Sequence, residues 1–281
     1  MITIYKGDCR EVLVNLPDQS VDCCVTSPPY FGLRDYGRKS QIGLEPTPEE
    51  FVEALVEVFR EVRRVLSDDG TVWLNLGDSY KDKQLIGVPW RVALALQNDD
   101  WHLRQDIIWS KPNVMPEPVR DRCTKAHEYI FLLSKSPRYY FDSDAIKEPV
   151  SDASLKRAES GWKSDRPSTK SNGGINVEKM GKRFVNPDGR NKRSVWTVPP
   201  KSFSGAHFAV YPPELIEPCI LAGCPEGGTV LDPFGGSGTT GMVADRLNRN
   251  SIMVELNDDY VQIAKNRIEA DGGMFVDLEI K

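Results

Sequence analysis

The tetrapeptide Ser27-Pro28-Pro29-Tyr30 joins a hydroxyl, two prolines and an aromatic ring directly after the apolar run 21–26. Neither proline has an N–H to donate to a sheet, and each forces extended geometry on the residue before it. The pattern predicts a stiff loop after a buried strand, with free carbonyls and a hydroxyl that accept hydrogen bonds. Such a loop suits a planar amine on which the ring stacks, whereas an ordinary Pro-rich turn is the structural alternative.

A glycine-rich turn lies near the other end of the chain. Gly236, Gly238 and Gly241 have the G-x-G-x-x-G spacing between a predicted strand and a predicted helix, and Glu255 ends the next predicted strand. Glycines let the main chain approach a nucleoside, and the carboxylate accepts hydrogen bonds from ribose hydroxyls. Asp232, just before the glycines, would repel a pyrophosphate and favour a cationic amino-acid group. A tight turn without a ligand is the alternative.

Strands and helices alternate along the chain, which predicts an α/β fold with a doubly wound, mostly parallel sheet. Only the 26 residues 256–281 follow Glu255, so further strands of that sheet must come from upstream. Adjacent strand ends at the switch point would then bring the two loops together. The predicted strands are 2–5, 21–26, 71–76, 105–109, 128–133, 229–231, 251–254 and an edge strand in 274–280; the predicted helices are 10–16, 48–66, 90–97, 212–222, 239–247 and 258–268.

The helix 48–66 is predicted to begin at the N-cap Thr47 and to end before Gly70. Its apolar residues form one face, which is expected to be buried: Phe51, Leu55, Val58, Phe59, Val62 and Leu66. Residues 148–205 show little periodicity and are predicted to be irregular.

Charge is unevenly distributed, although the chain of 281 residues carries a net charge of −5. Residues 151–205 contain 12 Lys/Arg and 5 Asp/Glu, which leaves 24 basic and 36 acidic residues elsewhere. A basic segment on an acidic body suits a surface that faces phosphates. A solvated, partly disordered loop is the alternative, because the segment is rich in Ser, Gly and Asn. We therefore divide the chain into halves 1–147 and 206–281 with an inserted region 148–205.

Several classes of protein are disfavoured by composition. The six cysteines form no C-x-x-C pair and lie mostly in apolar segments, which indicates reduced, buried thiols. No apolar run is long enough to span a bilayer and residues 1–6 do not form a signal peptide, so we expect a soluble, cytoplasmic protein without a membrane partner. His127-Glu128 lacks the second histidine of a zinc-protease helix, so no metal is expected.

Four segments, in this order along nearly the whole chain, resemble the DNA amino-methyltransferases that modify exocyclic nitrogens of bases with S-adenosylmethionine. The resemblance is to the permuted, beta group of the family, in which the catalytic loop comes first and the cofactor loop last. It implies a seven-stranded Rossmann-like methyltransferase sheet with a target-recognition insertion at 148–205, and a double-stranded DNA substrate. It leaves open a homodimer and a cognate restriction endonuclease. The segments are Thr26–Tyr30, Ala126–Phe131, His207–Leu215 and Asp232–Thr240.

The resemblance also implies roles for individual residues. Tyr30 would stack on a base flipped out of the duplex, while the Ser27 hydroxyl and the Pro28 carbonyl accept the amine hydrogens; Pro29 completes this catalytic set. Members with Ser at the first position usually methylate cytosine N4, and members with Asp or Asn usually methylate adenine N6. We therefore expect a cytosine-N4 enzyme, with adenine N6 as the alternative. The implied cofactor-binding residues are Asp8, Thr26, Asp232, Phe234, Gly235, Gly236, Ser237, Gly238, Thr239 and Glu255.

The basic insertion is expected to contact DNA phosphates or guanine edges. Its candidate residues are Lys163, Arg166, Lys182, Arg183, Arg190, Lys192 and Arg193, and the segment 111–117 is expected to line the groove for the target base.

An NAD-dependent oxidoreductase would explain the glycines but neither Ser-Pro-Pro-Tyr nor the basic insertion. Methylation of a protein glutamine amide or of RNA uses a related loop, usually with Asn first. A non-enzymatic DNA-binding module would need neither loop.

Overall fold

The computed structural model describes residues 1–33, 35, 37–38, 41–153, 156, 189–201, 211–273 and 276–281. The chain divides into two units, of which one comprises Met1–Asp142 with Ser194–Lys281 and the other Ser143–Arg193. The strands are β1 (Ile2–Lys6), β2 (Val21–Thr26), β3 (Leu66–Leu76), β4 (Tyr80–Lys81), β5 (Gln84–Leu85), β6 (His102–Ser110), β7 (His127–Ser134), β8 (Val195–Thr197), β9 (Thr229–Asp232), β10 (Asn250–Glu255) and β11 (Leu278–Ile280). The helices are α1 (Cys9–Leu13), α2 (Pro48–Val65), α3 (Val88–Asn98), α4 (Pro213–Gly223), α5 (Thr239–Arg246) and α6 (Asp258–Gly272).

The larger unit is built on a mostly parallel sheet. Its order is β11-β1-β10-β9-β2-β3-β7-β6-β8, and β4 and β5 form a separate hairpin. Strand β7 is antiparallel to both of its neighbours, whereas the other pairs are parallel. The predicted doubly wound α/β sheet is confirmed. Two three-residue strands, β11 and β8, extend the seven strands that run from β1 to β6 in this order, so this sheet has nine strands within the described residues.

The switch point of the sheet lies between β2 and β9. These strands are parallel neighbours, with Cys23 opposite Val230 and Cys24 opposite Leu231. From β9 the chain continues through α5 to β10 on one side, whereas from β2 it continues through α2 to β3 on the other side. The carboxyl ends of β2 and β9 therefore meet where such sheets bind ligands, as expected from the sequence.

Helix α2 has the predicted cap and apolar face. The Thr47 side chain accepts a hydrogen bond of 3.2 Å from the Glu50 N–H, and Pro48 occupies the first turn. Phe51, Leu55 and Val62 are fully buried on the face that packs against the sheet. The periodicity of apolar residues thus gave both the helix and its buried side.

The end of α2 differs from the prediction. The helix ends at Val65, and Leu66 is already extended, with φ −73° and ψ 139°, as the first residue of β3. A Cβ at Gly70 would lie 2.6 Å from Leu66 Cγ and 2.8 Å from the Asp22 carbonyl oxygen. Gly70 is thus required by close packing within the strand and does not cap the helix.

Strand β8 lies inside the region that the sequence predicts to be irregular. Val195 pairs with Ile108 of β6, and Trp196 is buried with its ring 6.4 Å from that of Trp73. Trp196 is therefore a core residue.

Five of the six cysteines are buried as expected, and Cys123 is exposed. No helix in the described part of the chain is both long and apolar enough to cross a membrane.

Candidate active site

The Ser-Pro-Pro-Tyr loop leaves the carboxyl end of β2, and its tyrosine is held at the hydroxyl. Tyr30 Oη donates a 2.6 Å hydrogen bond to Glu128 Oε2 and accepts one of 2.8 Å from Asn75 Nδ2. Burial and the neighbouring Glu128 carboxylate raise the pKa of Tyr30 well above its usual value. The phenol therefore stays protonated and keeps donating to Glu128 at any physiological pH.

The ring of Tyr30 also packs against the backbone. A Cβ at Gly77 would lie 2.5 Å from Tyr30 Cε2 and about as close to two further ring atoms, at 3.0 and 3.1 Å. Gly77 follows β3, so the end of this strand supports the ring while the hydroxyl is held from the side. Only glycine leaves room for the ring in this position.

Asn75 connects the serine and the tyrosine of the loop. Its Nδ2 lies 3.3 Å from Ser27 Oγ, 2.8 Å from Tyr30 Oη and 3.1 Å from Glu128 Oε2. Asn75 is 4% exposed, and its Oδ1 has no hydrogen-bond partner among the described residues. A buried acceptor without a partner costs about 1–3 kcal/mol, so a donor that entered the site would recover that cost.

Glu128 is paired with Lys111 at the same edge of the sheet. The two side chains form an ion pair and are 14% and 18% exposed, respectively. The Lys111 ammonium also lies 4.1 Å from the centre of the Trp109 ring. The backbone N–H of Lys111 donates a 2.8 Å hydrogen bond to the Ala126 carbonyl. Because β7 is antiparallel to β3 and β6, the start of β7 meets the ends of both strands, and this brings Glu128, Asn75 and Lys111 together.

The glycine turn after β9 is organised by the buried carboxylate of Asp232. Oδ1 accepts hydrogen bonds from Thr26 Oγ1 at 2.6 Å and from the Phe234 N–H at 3.1 Å. Oδ2 accepts from Thr240 Oγ1 at 2.6 Å and from Tyr211 Oη at 2.9 Å. Burial raises the pKa of Asp232, and these four donors oppose that effect.

Asp232 therefore ties the two predicted loops together. Thr26 ends β2 immediately before Ser27, so its bond to Asp232 joins the Ser-Pro-Pro-Tyr loop to the glycine turn. The carboxylate lies inside the protein, since the residue is 1% exposed. The structure thus gives Asp232 a positioning contact, and direct contact with a cationic ligand stays a prediction.

Glu255 holds the other side of the turn. Its Oε2 accepts from the Gly236 N–H and its Oε1 from the Asn257 N–H, each at 2.8 Å. Burial raises the pKa of Glu255 from 4.5 to about 7, and the backbone donors act in the opposite direction. The carboxyl group therefore titrates near neutral pH, beside the main chain of the glycine turn.

Glycine is required at two positions in the turn. Gly238 has φ +80°, and a Cβ there would lie 2.8 Å from Ala264 Cβ in α6. A Cβ at Gly235 would lie 2.9 Å from Met253 Cβ in β10. Arg267 of α6 further supports the turn, because its Nη1 donates to Ser237 Oγ at 2.8 Å and to Thr239 Oγ1 at 2.7 Å. The turn is thus pressed tightly against both neighbouring elements.

Asp8, another predicted cofactor residue, lies at the carboxyl end of β1. It is the N-cap of α1 and accepts a 3.0 Å hydrogen bond from the Arg10 N–H. The Arg10 guanidinium also binds this carboxylate, with Nε 2.9 Å from Oδ1. Asp8 thus has a structural role at the helix start, and contact with a cofactor stays a prediction.

The predicted DNA-binding residues are only partly described. In the smaller unit, Arg190 and Arg193 both pair with the Glu148 carboxylate, at 3.3 and 2.9 Å. Lys192 lies between them. Lys163, Arg166, Lys182 and Arg183 lie outside the described residues, as does the part of the His207–Leu215 segment before Tyr211. Their proposed contacts with DNA remain predictions.

The sequence analysis assigned no individual role to four residues that bind predicted site residues through a side chain: Asn75, Glu128, Tyr211 and Arg267. Lys111, which binds Glu128, lies in the segment 111–117 that is expected to line the groove for the target base. One available signal was that Asn75-Leu76-Gly77-Asp78 ends a strand, where parallel sheets place their ligands. No local signal pointed to Arg267. Among the described residues, no cluster of His, Cys, Asp and Glu is placed to hold a metal ion.

The chain is similar to known DNA methyltransferases. The type II methyltransferase M.SmaI of Serratia marcescens is 45% identical over 94% of this chain and 90% of its own length, and M.Cfr9I of Citrobacter freundii is 44% identical over 96% and 88%. The structure of TTHA0409 from Thermus thermophilus, complexed with S-adenosyl-L-methionine, has 25% identity and a TM-score of 0.67, with full coverage of both chains.

The fold is also shared with the cytosine-N4-specific PvuII DNA methyltransferase, at a TM-score of 0.70 and 21% identity over 98% of this chain and 86% of that chain. The model of the N6/N4 family, described as DNA methylase, matches residues 21–266. An oxidoreductase is therefore set aside. The chain belongs to the N6/N4 family of DNA methylases.

Proposed function

We propose that this protein transfers a methyl group from S-adenosylmethionine to the exocyclic N4 of cytosine in double-stranded DNA. The observation that supports the proposal is the 2.6 Å hydrogen bond between Thr26 and Asp232, which joins the Ser-Pro-Pro-Tyr loop to the glycine turn. Neither loop alone requires a methyl transfer. Together, within a family of DNA methylases, they provide adjacent places for the acceptor amine and the methyl donor.

The glycine turn fits S-adenosylmethionine. Gly235 lets the turn pack against Met253, and Gly236 lets the main chain approach a ligand. The half-buried ring of Phe234 offers an apolar face, and Glu255 offers carboxylate oxygens for ribose hydroxyls. We propose that these residues hold the cofactor together with Asp8, Thr26, Ser237, Gly238 and Thr239, while Asp232 orders the turn from beneath. When bound, the cofactor supplies a methyl group on a positively charged sulfur.

The Ser-Pro-Pro-Tyr loop would hold the acceptor base. Reaching the amine of a paired base requires flipping it out of the stack, which costs a few kcal/mol. Tyr30 would stack on the flipped base, and the Ser27 hydroxyl and Pro28 carbonyl would accept its two amine hydrogens. That arrangement draws the nitrogen lone pair out of the aromatic ring. Asn75 Nδ2, 3.3 Å from Ser27 Oγ, fixes the position of the hydroxyl oxygen.

Cytosine is proposed as the target because Ser27 stands first in the loop. We further propose that the order of the loops is the permuted one, since Thr26 at the end of β2 precedes Asp232 at the end of β9 by 206 residues. Target recognition is proposed for region 148–205, where Arg190, Lys192 and Arg193 would face phosphates. To contact DNA, Arg190 and Arg193 would replace their ion pairs with Glu148 by ion pairs with phosphates.

Methylation of plasmid DNA with S-adenosylmethionine, followed by mass spectrometry of the nucleosides, tests the proposal. We expect N4-methylcytosine. Exclusive formation of N6-methyladenine would overturn the choice of base, and absence of methylation on DNAs of varied sequence would overturn the function. The same assay, with sequencing of protected sites, identifies the recognition sequence and whether a companion endonuclease is blocked by the product.

A further inference from the structure

We propose that Glu128 and Lys111 are positioning residues that hold the Tyr30 ring in place before a base enters. The inference rests on the proposed function, because it assigns the Tyr30 ring the task of stacking on the flipped base. It adds two residues to the machinery, neither of which belongs to the Ser-Pro-Pro-Tyr loop or to the glycine turn.

The first step is the fixation of the ring. A tyrosine side chain has two rotatable bonds, and three contacts oppose their rotation here. The hydroxyl is bound to Glu128 Oε2 at 2.6 Å and to Asn75 Nδ2 at 2.8 Å, and the ring atoms rest against Gly77. Contacts at the hydroxyl and at the ring edge fix the plane of the ring, so a base would meet a preformed surface.

The second step is the fixation of Glu128 itself. A carboxylate that is only 14% exposed needs a compensating charge, and Lys111 supplies it. Lys111 has little freedom to move, because its ammonium lies over Trp109 and its backbone binds Ala126. Trp109 is in turn held by a 2.8 Å hydrogen bond from Nε1 to the Val198 carbonyl. The chain of contacts thus runs from the sheet, through Lys111 and Glu128, to the tyrosine hydroxyl.

The third step concerns catalysis. A flipped base must be held with its amine aimed at the methyl donor, and loss of orientation lowers the rate of transfer more than it weakens cofactor binding. A ring that is already ordered does not lose side-chain freedom when the base arrives. The contacts of Glu128 and Lys111 that hold the Tyr30 ring are therefore expected to affect kcat for DNA methylation and to leave the affinity for S-adenosylmethionine unchanged.

The experiment is a double-mutant cycle on the hydroxyl contact. Tyr30→Phe removes the hydroxyl and keeps the ring, and Glu128→Gln removes the charge and keeps the shape. We expect each to lower kcat about tenfold, the effect of losing one hydrogen bond to a charged group. Because Glu128 acts through the tyrosine, the double variant should be no slower than the slower single variant. Lys111→Met should behave like Glu128→Gln and should likewise add nothing to Tyr30→Phe.

A spectroscopic measurement separates positioning from a general loss of stability. With 2-aminopurine in place of the target base, stacking of the flipped base on a fixed ring quenches its fluorescence. Glu128→Gln should make the quenching weaker and more heterogeneous. Asp99→Asn is the matched control. It removes a carboxylate that lies away from the site and pairs with Arg60 at a distance of 2.6 Å, so it should leave both kcat and fluorescence unchanged.

Two results would overturn the inference. Multiplying losses, with the double variant about a hundredfold slower, would mean that Glu128 acts independently of the Tyr30 hydroxyl, either on the base or through Asn75 and Ser27. A normal kcat in Glu128→Gln would mean that methylation does not require Glu128 to hold the Tyr30 ring. Calorimetric binding of S-adenosylmethionine to each variant checks the fold. If the unaltered protein methylates DNA and the variants give either of these results, only this inference fails. If the unaltered protein does not methylate DNA, the proposed function fails.

Discussion

The hydroxyl of Thr26 donates a 2.6 Å hydrogen bond to the buried carboxylate of Asp232, which lies 206 residues further along the chain. This bond crosses the switch point of the sheet, because Thr26 ends β2 and Asp232 ends β9. It sets the spacing between the loop that would hold the amine and the turn that would hold the methyl donor.

Replacing Thr26 by valine should therefore weaken both the fold and the cofactor site. The change keeps the shape of the side chain but leaves Asp232 Oδ1 with the Phe234 N–H alone. We expect a loss of about 1.5–3 kcal/mol in the free energy of unfolding, the contribution of one hydrogen bond to a charged group. Urea unfolding measures that loss. Thr3→Val, a buried threonine in β1, is the control and should keep the cofactor affinity of the unaltered protein.

The affinity for S-adenosylmethionine should depend on pH through Glu255. Its pKa is raised to about 7, so the carboxyl is protonated below that pH and loses acceptor capacity for ribose hydroxyls. Affinity measured by calorimetry should rise as pH increases through about 7. In Glu255→Gln the affinity should be low and independent of pH in this range. Retention of the pH dependence in that variant would assign the titration to another group.

The same pKa shift has the opposite sign for stability. The folded state binds the Glu255 proton more tightly than the unfolded state, in which the pKa is near 4.5. The contribution of this group to stability is therefore full below about pH 4.5 and is lost as pH rises to about 7. Comparing urea midpoints of the unaltered protein and Glu255→Gln across this range isolates the contribution. A difference that grew toward acid pH in favour of the variant would contradict the assignment.

Substitution of Gly77 by alanine should displace the Tyr30 ring. The added Cβ would lie 2.5 Å from Tyr30 Cε2, and overpacking of this kind costs about 1–3 kcal/mol. We expect lower kcat for methylation with unchanged cofactor affinity. In a Tyr30→Ala background the methyl group has room, so urea unfolding should show no additional destabilisation. An equal cost in both backgrounds would mean that another neighbour is displaced.

Ser27→Ala and Tyr30→Ala should each abolish most methylation. Each removes a group that orients the base, and loss of one preorganised active-site contact typically costs on the order of 100-fold in rate. Cofactor binding should persist, because the glycine turn is intact. Transfer of tritiated methyl groups to DNA, with parallel calorimetry, measures both quantities. Normal turnover in both variants would remove the Ser-Pro-Pro-Tyr loop from the mechanism.

Glu148 should limit the affinity for DNA by occupying Arg190 and Arg193. Glu148→Gln weakens both ion pairs, so we expect tighter binding to DNA. Arg190→Gln with Arg193→Gln should weaken binding and lower the slope of log affinity against log salt by about 2. Arg60→Gln, in the other unit, is the control. Filter binding at several salt concentrations distinguishes these outcomes, and an unchanged slope in the double variant would argue against phosphate contacts.

Local patterns in the chain were sufficient for the elements and for both loops. The apolar stripe and Thr47 cap predicted α2, the glycine spacing predicted the turn before α5, and the pair of prolines predicted the loop after β2. These features depend on neighbours within a few residues, so backbone preference and periodicity determine them. At the end of α2 the structure differs from the prediction, because Leu66 begins β3 and Gly70 packs within that strand.

The partners of those loops were decided by tertiary structure alone. Asn75 and Glu128 reach Tyr30 from 45 and 98 residues away, and Asp232 reaches Thr26 from 206 residues away, at the end of the neighbouring strand β9. Such meetings depend on strand order and register, and a shift of one residue would turn each side chain to the opposite face. The sequence by itself therefore determined which chemistry the two loops can offer, while pairing between distant strands decided how they are joined and what holds Tyr30.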